Sequence, residues 1–177
     1  LAGVLLSLVY PWMKSHHLGD LNILCSFALL PALGTFFVAV GAYDPQSLLM
    51  ILPIGLLTVS ILHANNTRDV KTDFQAGLGT ITTSVSLMNA KAIYAFEIFA
   101  PYALALLYVV LLGQPWTLLA VGLTLPLALR NVRTMIQAED DLPYRGIQRL
   151  DQTTAQLQMA FGLLYALGFF LGSWLGV

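Results

Sequence analysis

The chain has 177 residues, of which 58% are hydrophobic and 10% charged, with a net charge of −1. A soluble domain carries about 25% charged residues, so this composition, with a mean hydropathy of +0.77, selects the membrane class. No basic cluster interleaved with aromatics points to nucleic acid, and the single Cys25 rules out an internal disulfide framework.

Residues 1–13 (LAGVLLSLVYPWM) are apolar but shorter than the roughly 20 residues a helix needs to cross a bilayer. They read as the end of a span cut short, without the charged n-region of a signal peptide, so the chain is expected to be one domain truncated at its N-terminus. A polar turn follows at 14–20. Residues 21–42 are long enough to span, with Asn22 and Pro31 tolerable in a packed bundle. The turn Tyr43-Asp44-Pro45 ends that span, and 46–64 returns as the next and delivers a polar stretch at its exit. Gly77 and Gly79 are plausible helix stops, and TITTSVS at 80–86 is too polar for mid-bilayer. The next span is 89–112, entered with Lys91 and carrying Glu97; Gly113-Gln114-Pro115 turns the chain, and 116–133 returns with Trp116 as an interfacial anchor. A polar connector at 134–152 leads to a last span at 154–175. The fold class is therefore all-α, a polytopic transmembrane helix bundle with five full spans after the shortened one.

On this topology Lys14, Arg68, Lys71, Lys91, Arg130, Arg133, Arg145 and Arg149 all fall on one side, and the opposite turns at 43–46 and 113–115 hold no Lys or Arg. By the positive-inside rule that side faces the cytoplasm or its organellar equivalent.

The polar stretch 61–79 reads ILHANNTRDVKTDFQAGLG. As a continuous helix it stacks Asn65, Asp69 and Asp73 on one face at four-residue spacing. Like charges so placed repel unless a cation lies between them; Arg68 is one such cation. Hard oxygen ligands beside basic residues also describe a magnesium–diphosphate site, since Mg2+ keeps waters and takes phosphate oxygens from a substrate. Lys14, Arg68 and Lys71 supply positive charge for such an anion. An interfacial turn whose charges face water accounts for the same spacing.

The string NNTRDVKTDFQAGLGT resembles the second aspartate-rich motif of the UbiA superfamily of intramembrane prenyltransferases. The match is to the subgroup that makes menaquinone and phylloquinone precursors, which usually reads NN-x-RD-x-x-x-D-x-x-x-G-x-x-T; Asn65, Asn66, Arg68, Asp69, Asp73, Gly77 and Thr80 occupy its positions. Leu62-His63 before it is similar to the menaquinone-forming animal enzymes. Leu18-Gly19-Asp20-Leu21 resembles the LGD turn before the fifth helix, Tyr10 and Lys14 match a Y-x-x-x-K pattern, and QTTAQLQMAFGLLYALG resembles the subgroup's last helix. The family's first motif, N-x-x-x-D-x-x-x-D, has no counterpart in these residues, so the fragment alone is expected to be inactive.

The resemblance implies a Mg2+-dependent transfer of a polyprenyl group from its diphosphate to an aromatic acceptor such as 1,4-dihydroxy-2-naphthoate. It assigns Asp69 and Asp73 as the catalytic metal ligands, Asn65 to metal or diphosphate support, and Arg68, Lys14, Lys71 and Tyr10 to diphosphate. The acceptor is expected near His63, Asn66 and Glu97. His63 has the pKa for hydroxyl chemistry, but a packing His fits equally. An intramembrane acid such as Glu97 is usually functional, but a pair with Arg130 or Arg133 fits equally. His16 and His17 read as solvent-facing turn residues, and Phe36, Phe37, Tyr94, Phe99 and Tyr102 as packing. Relatives using 4-hydroxybenzoate, homogentisate or a chlorophyllide share the metal logic. An ion-binding transporter fragment is the alternative of another class, disfavoured because Glu97 is the one acid deep in a span.

Overall fold

The computed structural model describes residues 1–139 and 144–177, and among them all regular structure is helical, with no strand. Helix α1 (Ala2–Ser15) ends in a turn where His17 takes a positive φ of 62°. Helix α2 (Gly19–Leu24), a π turn (Cys25–Leu29) and α3 (Leu30–Val40) run on as one 22-residue span. The span begins and ends two residues earlier than hydropathy suggests. Gly41, at φ 74°, closes it in the left-handed conformation that glycine adopts without strain.

Helix α4 (Pro45–Arg68) starts on a full set of N-terminal signals: Asp44 is extended, its Oδ1 accepts from the Gln46 N–H at 3.0 Å, and Pro45 occupies the first helical position. The helix carries the polar residues to Arg68, where Asp69 breaks the regular geometry (φ −94°, ψ 8°) before α5 (Val70–Gln75). The continuous helix considered for Asn65, Asp69 and Asp73 is thus two helices. The i to i−4 bonds nevertheless persist across the break, from Asp69 N to Asn65 O at 3.0 Å and from Asp73 N to Asp69 O at 2.9 Å. Gly77 stops α5 with φ 68°. A one-turn helix α6 (Ile81–Ser84) holds the polar TITTSVS stretch at the bundle's end.

Helix α7 (Leu87–Leu112) is capped by the Ser86 hydroxyl and closed by Gly113 at φ 63°. The return span expected at 116–133 is present but composite, a 3-10 segment (Trp116–Thr124) followed by α8 (Leu125–Ile136). Pro126 has no N–H to give to the Gly122 carbonyl; the Leu125 N–H takes that carbonyl instead, and the Thr124 hydroxyl donates to Val121 O at 2.7 Å. Among the described residues, four helices are continuous, long and apolar enough to cross a membrane: Gly19–Val40, Pro45–Arg68, Leu87–Leu112 and α9 (Leu150–Leu175). The broken helix over 116–136, expected as a fifth span, is not among them. The connector expected at 134–152 is shorter, because α8 extends to Ile136 and α9 starts at Leu150; its residues 140–143 lie outside the described part.

Helices α4, α7, α8 and α9 and the 3-10 segment enclose the core, where Leu57, Tyr94, Ile98, Leu118, Met135 and Phe161 are fully buried. Lipid offers no hydrophobic drive between helices, so close backbone approach and internal hydrogen bonds take on that work. Tyr94 and Thr154 share a hydroxyl bond at 2.6 Å, as do Tyr102 and Thr124. Tyr108 donates to Leu49 O at 2.6 Å and Tyr165 to Met50 O at 2.9 Å. At Gly168 the backbones meet: an added Cβ would lie 2.9 Å from Leu118 Cα, and Thr117 donates to Gly168 O at 2.5 Å. Tyr94 and Tyr102 therefore pack as expected, but each through a hydroxyl as well as a ring.

Candidate functional site

The polar groups collect at the end of the bundle formed by α1, the α4–α5 break and the start of α9. Arg68 is its hub. Its guanidinium donates to Asp69 Oδ1 at 2.8 Å and Oδ2 at 2.9 Å, to Asp151 Oδ2 at 2.6 Å, and to Asn65 Oδ1. The fork geometry of guanidinium fits the Asp69 carboxylate bidentately. That bond, aided by the charges of Arg68 and Lys14 and opposed by partial burial, holds the Asp69 carboxyl below the usual carboxylate range. The cation foreseen between the stacked acids is therefore Arg68 for Asn65 and Asp69. Asp73 belongs to a different pair. It is buried, and its Oδ2 lies 3.6 Å from Lys14 Nζ. That is an ion-pair contact longer than a hydrogen bond, and the oxygen has no hydrogen-bond partner.

Loop packing brings Lys14 to Asp73. The His17 N–H donates to Gly79 O at 3.1 Å and its ring Nδ1 lies 3.1 Å from Thr80 O, so the turn after α1 is stitched to the segment after α5. A Cβ on Gly79 would sit 2.6 Å from Ser15 O, which is why the segment after Gly77 can lie so close. His17 is exposed, as expected, yet also structural. Tyr10, one turn before Lys14 on α1, is half-buried within electrostatic reach of Asp20 and Asp73.

A second cluster lies beneath this rim. Asp20, His63 and Glu97 place one donor atom each within 4.8 Å of one another. His63 Nδ1 is 3.6 Å from Glu97 Oε1, and His63 Nε2–H donates to Ala90 O at 3.0 Å. Asn66 is buried nearby in sequence with its Oδ1 unpartnered. Beside the rim, an apolar recess of about 270 Å3 runs from Asn65 and Asp151 past Leu62, Ile61 and Thr58 to Phe27. Phe27 also borders a larger cavity of about 840 Å3 between the first span, α4 and α9, walled by Pro31, Phe36, Ile54, Tyr165 and Phe169.

Cationic and carboxylate groups at the mouth of an apolar groove suit an amphiphile with an anionic head. The UbiA prenyltransferase family model matches residues 1–147. The chain belongs to the UbiA prenyltransferase family. Among curated relatives it is 34% identical over 158 residues to the UbiA prenyltransferase domain-containing protein 1 of Xenopus tropicalis, covering 87% of this chain and 42% of that protein. The Homo sapiens protein of the same name is 31% identical over 156 residues, covering 87% of this chain and 43% of its own length. A Drosophila melanogaster homolog is 34% identical over 154 residues, with 84% and 39% covered. The chain thus spans less than half the length of the curated relatives it matches.

Within this UbiA-family fold, the residues singled out in the sequence do not all converge. Asn65, Arg68 and Asp69 form one network, Lys14 and Asp73 an adjoining pair, and His63 and Glu97 the inner cluster. Lys71 stays apart: it is exposed and borders a separate depression with Phe74, Val85 and Tyr144. Glu97 faces His63 and Asp20, whereas Arg130 and Arg133 are exposed on α8. Two members were missed. Asp20 is an acid at the start of an apolar span, a signal as strong as that of Glu97. Asp151 is the acid in the first turn of α9, and its bond to Arg68 joins residues 83 apart in the chain, beyond any local pattern.

Proposed function

We propose that the full-length protein is an intramembrane aromatic prenyltransferase. In this reading it transfers a polyprenyl group from its diphosphate to a naphthalenediol such as 1,4-dihydroxy-2-naphthoate, as in menaquinone or phylloquinone synthesis. One observation carries the reading: Asn65 and Asp151, both bonded to Arg68, line the polar end of an apolar groove, and the Lys14–Asp73 pair adjoins that network.

The donor set fits magnesium, which prefers hard oxygens. Asp73 has an unpartnered buried oxygen, and Asp69 would give up part of its bond with Arg68. Asp69 and Asp73 would be the metal ligands, with Asn65 adding a carbonyl oxygen. Bound magnesium would offset charge on the diphosphate leaving group. Arg68 and Lys14 hold the diphosphate from two sides, Tyr10 orients it from α1, and Lys71 attracts it from the exposed approach. The groove along Ile61, Leu62 and Phe27 takes the isoprenoid and keeps water from the allylic carbon while its C–O bond ionises. The acceptor enters against Asn66, with His63 and Glu97 completing the polar wall beneath it. These residues supply the second of two aspartate-rich clamps, the first lying outside them, and the site faces the side where Lys and Arg gather.

The test is prenyl transfer in membranes containing the full-length protein, with labelled polyprenyl diphosphate and a panel of naphthoate, benzoate and homogentisate acceptors. Wild type should label the naphthalenediol, and Asp69→Ala and Asp73→Ala should not. Product formation untouched by both substitutions and by magnesium chelation would remove the clamp.

A further inference from the structure

The Asp20–His63–Glu97 cluster presents an electrostatic problem that the clamp does not solve. His63 has a fully buried side chain, and Glu97 is 6% exposed. The Ala90 carbonyl can only accept, so His63 Nε2 carries the proton and Nδ1 is left with its lone pair. That lone pair has no partner, and neither does Glu97 Oε2. A proton on Nδ1 would not make a hydrogen bond to Glu97, because 3.6 Å exceeds its range. Two carboxylates and an imidazole nitrogen therefore converge, His63 and Glu97 buried and Asp20 half-buried, and a proton on Nδ1 would offset only one of the two negative charges, leaving the other at a cost of several kcal/mol.

We infer that this cluster is a divalent-cation site of the zinc class, formed by Asp20, His63 Nδ1 and Glu97 and separate from the diphosphate clamp. Charge balances, since two carboxylates and a neutral imidazole carry −2. The donors are one nitrogen and two kinds of carboxylate oxygen, a borderline set that suits Zn2+ better than Mg2+. Spacing agrees too: tetrahedral ligands at about 2.1 Å from a zinc ion lie about 3.4 Å apart, close to the 3.6 Å between His63 and Glu97. Space in which all donors lie within 4.8 Å of each other admits one ion and no aromatic ring. The His63–Ala90 bond is the outer-shell contact that ligating histidines make, fixing tautomer and ring orientation. Along α4, His63 lies six residues from Asp69, about 9 Å at the helical rise, so the two sites do not share an ion. The inference stands on this geometry and not on the prenyl-transfer reading.

The full-length protein, purified in detergent and stripped with a chelator, is titrated with Zn2+ alone and its bound metal measured after desalting. Wild type and Asp73→Asn should each retain about one Zn2+ per chain, and Glu97→Gln and His63→Gln should bind at least tenfold more weakly. Loading wild type with Co2+ should give the intense visible bands of a four-coordinate nitrogen–oxygen site, a readout that needs no variant to fold. No tight Zn2+ in wild type overturns the site, as does wild-type affinity in folded Glu97→Gln. Loss of Zn2+ in Asp73→Asn assigns the ion to the clamp and overturns it equally.

Discussion

Replacing Asp73 by Asn separates a structural role of the Lys14–Asp73 pair from a role in the reaction. The substitution keeps shape and removes one charge. At 3.6 Å the attraction is about 4–5 kcal/mol for an effective dielectric near 20. Both side chains keep some exposure, 19% for Lys14 and 12% for Asp73, and water screening cuts the net contribution to about 1 kcal/mol. Stability should therefore fall by only a few degrees in Tm. Lys14→Met should cost a similar amount, and the double variant no more than either alone, because both remove one interaction. A metal-ligating carboxylate has a larger effect on rate: losing several kcal/mol of charge stabilisation means at least 100-fold in turnover. The assay is prenyl transfer by the full-length protein in nanodiscs, paired with thermal melts of the same samples. A turnover loss of less than tenfold in Asp73→Asn, or one that tracks the loss in Tm, would refute the metal role and leave an ion pair that only ties α1 to α5.

Arg68→Lys should lower kcat/KM by raising KM for the diphosphate substrate, since a point charge cannot hold Asn65, Asp69 and Asp151 at once; steady-state kinetics with unchanged KM would oppose this. Gly168→Ala pushes α9 off Leu118 and strains the Thr117 bond, and should destabilise by about 1–3 kcal/mol, measured as a drop in melting temperature. Tyr94→Phe removes the bond to Thr154 without changing ring packing, and should cost about 1 kcal/mol in the same melt. His17→Gly relieves the positive φ of 62° but loses the ring contact to Thr80. Its effect on stability should stay within about 1 kcal/mol, while faster proteolysis after Gly79 would report the loosened loop.

The long apolar runs determined by themselves that the chain is an all-α membrane bundle, because a backbone in lipid must satisfy its own hydrogen bonds. Their turns were equally legible: Asp44-Pro45, Gly77 and Gly113 stop or start helices where local chemistry demands it. The motif spacing marked Asn65, Asp69 and Asp73, and their one-turn separation survives the break at Asp69 because the i to i−4 bonds continue through it. Tertiary structure alone decided who partners whom. Arg68 takes Asp69 and Asp151 while Lys14 takes Asp73, because His17 and Gly79 clamp the α1 turn onto the loop after α5. Glu97 turns to His63 and Asp20, and Arg130 and Arg133 stay exposed on α8. The 3-10 course of 116–124 answers to Pro126 and to close contact with Gly168. Hydropathy reports how much of a segment lipid will accept. It does not report the rotation of one helix against another, and that rotation sets which polar atoms meet.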